Sequence, residues 1–380
     1  MDNRSPPQNS VKRPIAAGAS ARLSAMTTTP KLVLSSPADI LAAVPYLVGF
    51  HPADSLVVIG FAGAALQLST RWDLPPEPGD LDRLAPLFVR EGVTMAVLVG
   101  YGPEPVVDSA VLEAGRLLEE AGVRVTEALR AEDGRYWSYA CPTIVCCPDE
   151  GLPYDPVSSP VAAEAVVHGL VALPDRGSLR RTVEPSAGGA MREASRRVAA
   201  DLRARLARPP GQVSDAVAAE FVAGGLARVR AAIDLYGSGG RLDDRAAARL
   251  GFDLAIIRVR DEAWALLDDR DAHLALWKDL TRRLDPLHVA PAASLLAAAA
   301  WRSGDCALAG MAVERALEAD GAYSMAHLLR EALVHMLSPG SLLDRMPTPE
   351  DLDAEMGPPR GCWLGPLVTW LSGEPSARAG

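Results

Sequence analysis

LVGFHPADSLVVI, residues 47–59, contains the junction on which the fold depends. One apolar run ends at Gly49, and a second, fully apolar run begins at Leu56 after a short polar stretch. Upstream, Ser36 and Pro37 supply a capping hydroxyl and a proline at the first helical position, so the first run is predicted to close a helix. The second run has the length and composition of a buried strand. We therefore expect a helix that leads into a buried strand of a sheet.

The alternation of strand and helix patterns continues as far as Pro148. A half-polar strand is expected to pair with the first strand across the turn at Ala62 and Gly63, and the predicted order is αββαβαββ. After the first strand, the predicted segments are residues 66–72, 81–90, 93–100, 107–121, 123–129 and 135–141. The pattern predicts an α/β or α+β domain over residues 31–148 with a mixed sheet of about five strands.

The chain beyond this domain is predicted to be helical. Prolines mark a linker over residues 149–160, and apolar residues then recur at helical spacing over residues 161–337. Small residues from Gly304 to Asp320 match the second half of a tetratricopeptide unit, and the turns at Asp285 and Asp320 stand 320 − 285 = 35 positions apart. An ordinary helical bundle explains the same residues, so an all-α, partly tetratricopeptide-like region and a plain bundle both stay open.

The two ends of the chain have the composition of tails. Residues 1–30 are polar and lack periodicity, which predicts disorder, and Met26 offers an alternative start. Residues 338–380 are rich in proline, glycine and acidic residues, which predicts a loosely ordered tail. One apolar island in that tail, Trp363 to Leu371, is able to dock on the body.

Several phrases resemble one known family. They are SPADILAAVPYLVGFHPADSLVVIGF, RWDLP, DGRYWSYAC, RVRDEAW and AAWRSGDCALAGMAVERALEAD. Over Leu34 to Leu337 the chain resembles the actinobacterial family catalogued as domain of unknown function 4192. The resemblance implies a bacterial cytoplasmic protein, and it carries no activity or site residue over to this chain.

Composition excludes some classes of function. The 38 basic and 48 acidic residues give a net charge of −10, which disfavours nucleic-acid binding through the phosphate backbone. The longest apolar stretch, Val289 to Trp301, is shorter than the roughly 20 residues of a membrane helix, so no membrane association is expected. Five cysteines, an odd number, indicate a reducing compartment and hence a cytoplasmic location.

The opening stretch brings His51, Asp54 and Ser55 within five positions of one another. A hydrolase triad is usually assembled from separate loops, whereas Asp and Ser before a strand commonly accept backbone N–H groups in a turn. The turn is therefore the favoured interpretation. The alternative is that His51 alone faces a ligand pocket. Tyr101 lies in a glycine-containing loop between a buried strand and a helix, where α/β sheets place their pockets, but the loop is no dinucleotide fingerprint.

Charged residues beside the strands supply the other candidates. Arg71 and Asp73 lie on the same side of a strand and could pair with each other or face a shared pocket. If the domain binds an anionic small molecule, Arg71 and Arg135 are the first choices for its contacts. Cys141, Cys146 and Cys147 lack the paired spacing of a zinc site, so neither a metal nor a cofactor is expected.

These observations favour a protein without catalysis, and no catalytic residue is assigned. The leading hypothesis is an α/β ligand-sensing or docking domain joined to a helical region that binds a protein partner. The rival is an enzyme of unknown reaction whose pocket lies between the strand ends and the helical region, lined by His51, Arg71, Asp73 and Arg135. A purely structural subunit of a larger assembly is a third hypothesis.

Overall fold

The structure, a computed structural model, describes residues 35–141, 147–186, 188–206, 213–340 and 346–372. The tail predicted over residues 1–30 lies outside these ranges, and so does Cys146. The N-terminal half contains, in chain order, α1 Pro37–Val48, β1 Ser55–Ala62, β2 Ala65–Asp73, α2 Leu84–Arg90, β3 Met95–Tyr101, α3 Glu104–Glu120, β4 Arg124–Glu132, β5 Arg135–Ser138 and β6 Leu152–Pro153.

The strands form one mixed sheet in the order β2-β1-β3-β4-β5-β6. Strands β3 and β4 are parallel, and every other neighbouring pair is antiparallel. The predicted mixed sheet is therefore confirmed, with six strands. The sixth, β6, is only two residues long and lies within the segment predicted as a linker.

From Leu56 onward, strand β1 is apolar because both of its faces are covered. Leu56 and Val58 pack on the side of α2 and α3, whereas Val57 and Ile59 pack with Leu41 of α1. A strand buried on both faces has no solvent side on which polar residues would alternate. The uninterrupted apolar run thus reflects its place inside the sheet.

The junction between α1 and β1 follows the local signals. The side chain of Ser36 accepts a hydrogen bond from the backbone N–H of Asp39 at 3.2 Å, which caps α1. Gly49 has φ 82°, the left-handed conformation that commonly ends a helix. Asp54 also has positive φ, 44°, at the last position before β1, where its carbonyl accepts the N–H of Leu74 at 2.8 Å.

The rest of the described chain is almost entirely helical, which confirms the predicted all-α region. Its helices are α4 Pro160–Val167, α5 Arg176–Arg181, α6 Gly189–Leu206, α7 Asp215–Gly237, α8 Asp244–Asp253, α9 Ile257–Ala265, α10 Asp271–Arg283, α11 Ala290–Arg302, α12 Cys306–Ala319, α13 Ser324–Val334, α14 Pro349–Met356 and α15 Gly365–Ser372. Residues 290–301 of α11 are all buried, and their many alanines let neighbouring helices pack closely around α11. The tetratricopeptide-like character stays a prediction.

The last two described helices pack on the body of the helical region. Arg258 of α9, almost fully buried, donates to Asp353 of α14 at 2.7 Å and to the carbonyl of Pro349 at 3.3 Å. Leu364 and Leu367, within the apolar island, are fully buried in the core of the helical region.

The sheet, with the helices that cover it, contacts the helical region at several places, among them the packing of α1 on α4. Phe50, between α1 and β1, is buried in the core of the helical region, and its backbone pairs with Leu173. On the opposite face of the sheet, Arg90 of α2 donates to the carbonyls of His335 and Met336, just beyond α13. Among the described residues, no helix is both long and apolar enough to cross a membrane.

Candidate functional site

One edge of the sheet collects the ends of several strands. Because β1 runs antiparallel to both β2 and β3, the start of β1 lies beside the ends of β2 and β3. Asp73, Ser55, Tyr101 and Ala131 lie side by side in one row across the four strands β2, β1, β3 and β4. Loops at such an edge are where α/β sheets usually bind ligands.

The row faces α1. Tyr101 and Ala131 belong to the cluster that α1 covers, together with Val57 and Val99 two positions further into the sheet. Arg71 pairs with Val57, so its side chain leaves the sheet on the same face. Arg71, Asp73 and Tyr101, three of the predicted site residues, thus share one face of one edge.

Arg71 and Asp73 form the ion pair expected for two residues on one side of a strand. Arg71 Nη2 donates to Asp73 Oδ1 at 2.6 Å, and the guanidinium lies over the ring of Phe50, 5.6 Å from its centre. Arg176 of α5 approaches the other carboxylate oxygen of Asp73, with 3.7 Å between Nη1 and Oδ2. Burial works to raise the pKa of Asp73, but the hydrogen bond from Arg71 and the charges of both arginines hold that pKa below its ordinary value.

Two hydrogen-bond donors in this region are buried without an acceptor among the described residues. They are the phenol oxygen of Tyr101, a residue 7% exposed, and Nε of Arg71. Burial raises the pKa of Tyr101 well above its ordinary value, and the nearby Tyr154 adds to the rise. Tyr101 is therefore a neutral hydrogen-bond donor over the whole physiological pH range.

The residues of the opening stretch make the contacts of a turn. The hydroxyl of Ser55 donates to the carbonyl of Ala53 at 2.5 Å. The backbone N–H of His51 donates to the carbonyl of Leu173 at 2.9 Å, and the N–H of Leu173 donates back to Gly49 at 2.8 Å. These contacts tie the connection between α1 and β1 to the segment that precedes α5.

Arg135 lies at the same edge but far from the others. It begins β5, four strand spacings from Arg71 in β2, which is about 19 Å across the sheet. Its Nη1 donates to the carbonyls of Glu150 and Gly151 at 3.1 and 2.7 Å. Arg135 thus holds the segment that leads into β6, and a single small molecule could not reach both predicted arginines.

The sequence did not point to Arg176, Leu173 or Tyr154 as neighbours of this edge. The one local signal near Arg176 is Asp175, whose carboxylate caps α5 by accepting the N–H of Ser178 at 2.6 Å. That signal marks a helix start and says nothing about what the helix lies against. Proximity of α5 to β2 depends on how the helical region packs on the sheet.

Among the described residues, no group of three or more His, Cys, Asp or Glu side chains is placed to hold a metal ion. The unpaired polar groups of the edge are hydrogen-bond donors, on Arg71 and Tyr101. Such donors suit a ligand with negatively charged or carbonyl oxygen atoms.

Comparison with protein families gives one match over most of the chain. The family model described as Domain of unknown function (DUF4192) matches residues 37–340, which confirms the resemblance noted in the sequence. Comparisons with curated proteins and with solved structures find no match.

Proposed function

Because the chain belongs to the family described as Domain of unknown function (DUF4192), whose description states no activity, we propose its function from the geometry. The protein is a binding protein without catalysis, and it takes a small anionic molecule at the edge of the sheet formed by the end of β2, the start of β1 and the end of β3. The helical region serves as its protein-interaction part.

One observation carries this proposal: the unpartnered donors of Arg71 and Tyr101 on one face of one sheet edge, as far as the structure describes the chain. A buried donor left without an acceptor costs about 1–3 kcal/mol, so such groups in folded proteins are nearly always paired. A bound molecule with oxygen acceptors would supply both partners once the side chains that cover the two donors move aside, since both are closed to solvent in the structure. The two residues lie two strand spacings apart, about 10 Å across the sheet, so the ligand carries more than one acceptor group.

The surroundings support binding over catalysis. Asp73 is shared between Arg71 and Arg176, which holds it as an ionised structural partner and removes it as a proton acceptor. The hydroxyl of Ser55 is engaged with a backbone carbonyl. The rival enzyme hypothesis requires Arg135 to join the same pocket, and its distance from Arg71 argues against that pocket.

The same edge offers a route from ligand to partner. Asp73 contacts Arg176 of α5, and Phe50 beneath Arg71 lies in the core of the helical region. A ligand on Arg71 would compete with or reinforce these contacts, and so change how the helical region packs on the sheet. We also propose a cytoplasmic location in an actinobacterium, which the family resemblance and the odd number of cysteines support.

Titration calorimetry with citrate as the probe tests the proposal on the full chain. Tyr101→Phe removes only a buried hydroxyl without a partner among the described residues, so its thermal stability should equal or exceed that of the wild type. Its affinity for citrate should nevertheless fall about tenfold, the effect of one lost hydrogen bond to a charged group. Arg71→Gln should abolish binding.

Arg135→Gln is the matched control, since it makes the same change on the same sheet edge and should leave citrate affinity unaltered. The proposal is wrong if the wild type does not bind citrate, or if Tyr101→Phe binds it as tightly as the wild type does. Chemical turnover of the bound anion would contradict the proposal that the protein is not a catalyst.

A further inference from the structure

A second candidate site lies in the helical region, away from the sheet edge. The end of α5 with the turn that follows it and one face of α12 line a cavity of about 410 Å³ that is open to solvent, with a volume within the range of small-molecule sites. Its apolar wall includes Val183 and Met311, both buried, and Pro185. None of the predicted site residues belongs to it.

Arg315 of α12 is one of the charged residues that line this cavity. The residue is only 7% exposed, yet its Nε and Nη2 have no hydrogen-bond partner among the described residues. The N–H bonds of these two nitrogens point in parallel from one side of the guanidinium, which is a side that binds both oxygens of a carboxylate. The unoccupied side of Arg315 is therefore shaped for a carboxylate.

The charge of Arg315 is also poorly matched. The acidic group paired with it is Glu318, whose Oε2 lies 3.9 Å from Nη1. That carboxylate is half exposed and already accepts a hydrogen bond from Arg180 at 2.9 Å. A buried guanidinium normally has a bonded carboxylate beside it, and water would supply oxygen atoms but no compensating charge.

The remaining polar lining determines what else the ligand carries. Glu184, Glu314 and Glu318 outnumber Arg180 and Arg315 around the cavity. A simple anion would meet this excess of carboxylates, whereas a ligand with one positive group would neutralise it.

We propose that this cavity binds a small zwitterion. Its carboxylate takes Nε and Nη2 of Arg315 after a turn of that side chain, because both nitrogens are closed to solvent in the structure. Its ammonium group faces Glu184 and Glu314 at the exposed rim, and the short carbon chain between them covers Val183 and Met311. The site is independent of the sheet edge and of its proposed anion.

Three compounds with the same five-carbon chain test the proposal: 5-aminopentanoate, glutarate and 1,5-diaminopentane, titrated into the full chain by calorimetry. The zwitterion, 5-aminopentanoate, should bind, and the dianion and the dication should each bind at least tenfold more weakly. Arg315→Gln should weaken binding of 5-aminopentanoate at least tenfold. Adding 5-aminopentanoate should also shift the ¹⁵N resonance of one arginine Nε, and that resonance should be missing in Arg315→Gln.

Two further variants keep the result interpretable. Glu314→Gln changes an exposed residue and should not affect folding. It should weaken the binding of 5-aminopentanoate and reduce the preference of the site for 5-aminopentanoate over glutarate. Arg302→Gln alters an arginine of α11 that is bonded to Asp269, and it should leave binding unchanged. The proposal is overturned if 5-aminopentanoate does not bind at millimolar concentration, if glutarate binds more tightly, or if Arg315→Gln and Arg302→Gln bind alike.

Discussion

At the scale of single residues, Gly100 of β3 shows how closely a helix approaches the sheet. A Cβ placed on Gly100 would lie 2.2 Å from Cγ1 of Val107 in α3, well inside van der Waals contact. Val107 is completely buried, so it has no free space into which it could turn. Gly100 is thus required by packing of α3 on the sheet and not by an unusual backbone angle.

Gly100→Ala should lower the free energy of unfolding by about 1–3 kcal/mol, the usual cost of overpacking a core. The measurement is urea unfolding followed by circular dichroism. Gly115→Ala is the matched control, because a Cβ placed on Gly115 within α3 would meet no atom of another described element inside 4 Å. That control should stabilise the protein by up to about 1 kcal/mol through helix propensity. Equal effects of the two changes would contradict the close approach.

At the scale of elements, His288 joins α15 to the helical body. It follows α10 in a short 3₁₀ turn and lies between two aromatic rings, 4.6 Å from the ring of Phe252 and 4.8 Å from that of Trp370 in α15. Burial lowers the pKa of His288 below its ordinary value of 6.5, and the charge of Asp285 opposes this only in part. The contact therefore favours the neutral imidazole.

The sign of the pH effect follows from this shift. The unfolded chain takes up a proton at His288 near pH 6.5, whereas the folded chain does so only at lower pH, so stability falls as pH falls through this range. When the pH is lowered from about 7.5 to about 5.5, the melting temperature of His288→Gln should therefore fall by less than that of the wild type. The difference in tryptophan fluorescence between the wild type and Trp370→Phe should report the docking of α15 over the same range.

His335→Gln is the control for this prediction, since the side chain of His335 is 66% exposed and pairs with Glu331 of α13, away from α15. Its melting temperature should depend on pH as that of the wild type does. His273, whose pKa burial also lowers, is present in all three proteins and contributes equally to each. Identical pH profiles for His288→Gln and the wild type would show that His288 does not make this contribution.

At the scale of the whole molecule, Phe50 connects the sheet to the helical region. It sits between α1 and β1 in sequence, but its side chain is 2% exposed within the core of the helices. The backbone bridge to Leu173 and the bonds from Arg90 to the end of α13 add polar contacts at two separate places. Two regions joined in this way should unfold together.

Phe50→Ala should lower the free energy of unfolding by about 3–5 kcal/mol, as expected for truncating a buried phenylalanine. It should also separate the two regions, so that urea unfolding followed by far-UV circular dichroism resolves into two transitions. In the wild type the two transitions should coincide. Phe61→Ala is the comparison, because Phe61 is only partly buried at the end of β1 and packs with the cluster that α1 covers.

The sequence by itself determined the local structure of this protein. The hydroxyl of Ser36, the left-handed Gly49 and the apolar run from Leu56 act on their immediate neighbours, and the periodicity of apolar residues reports which faces are buried. These signals were enough to predict the individual strands and helices, the helical region after the sheet, and the position of Arg71 and Asp73 on one side of a strand, since each of these depends on residues that are close in the chain.

Only the tertiary structure decided which distant side chains meet. It brought Arg176 to Asp73, separated Arg135 from Arg71 by four strand spacings, and buried Arg315 without a hydrogen-bonded carboxylate among the described residues. None of these has a local signal, because a charged residue has the same neighbours in sequence whether it ends on a surface, in an ion pair or in a cavity. The difference arises when helices and sheet pack together, and packing sums many weak contacts between residues far apart in the chain.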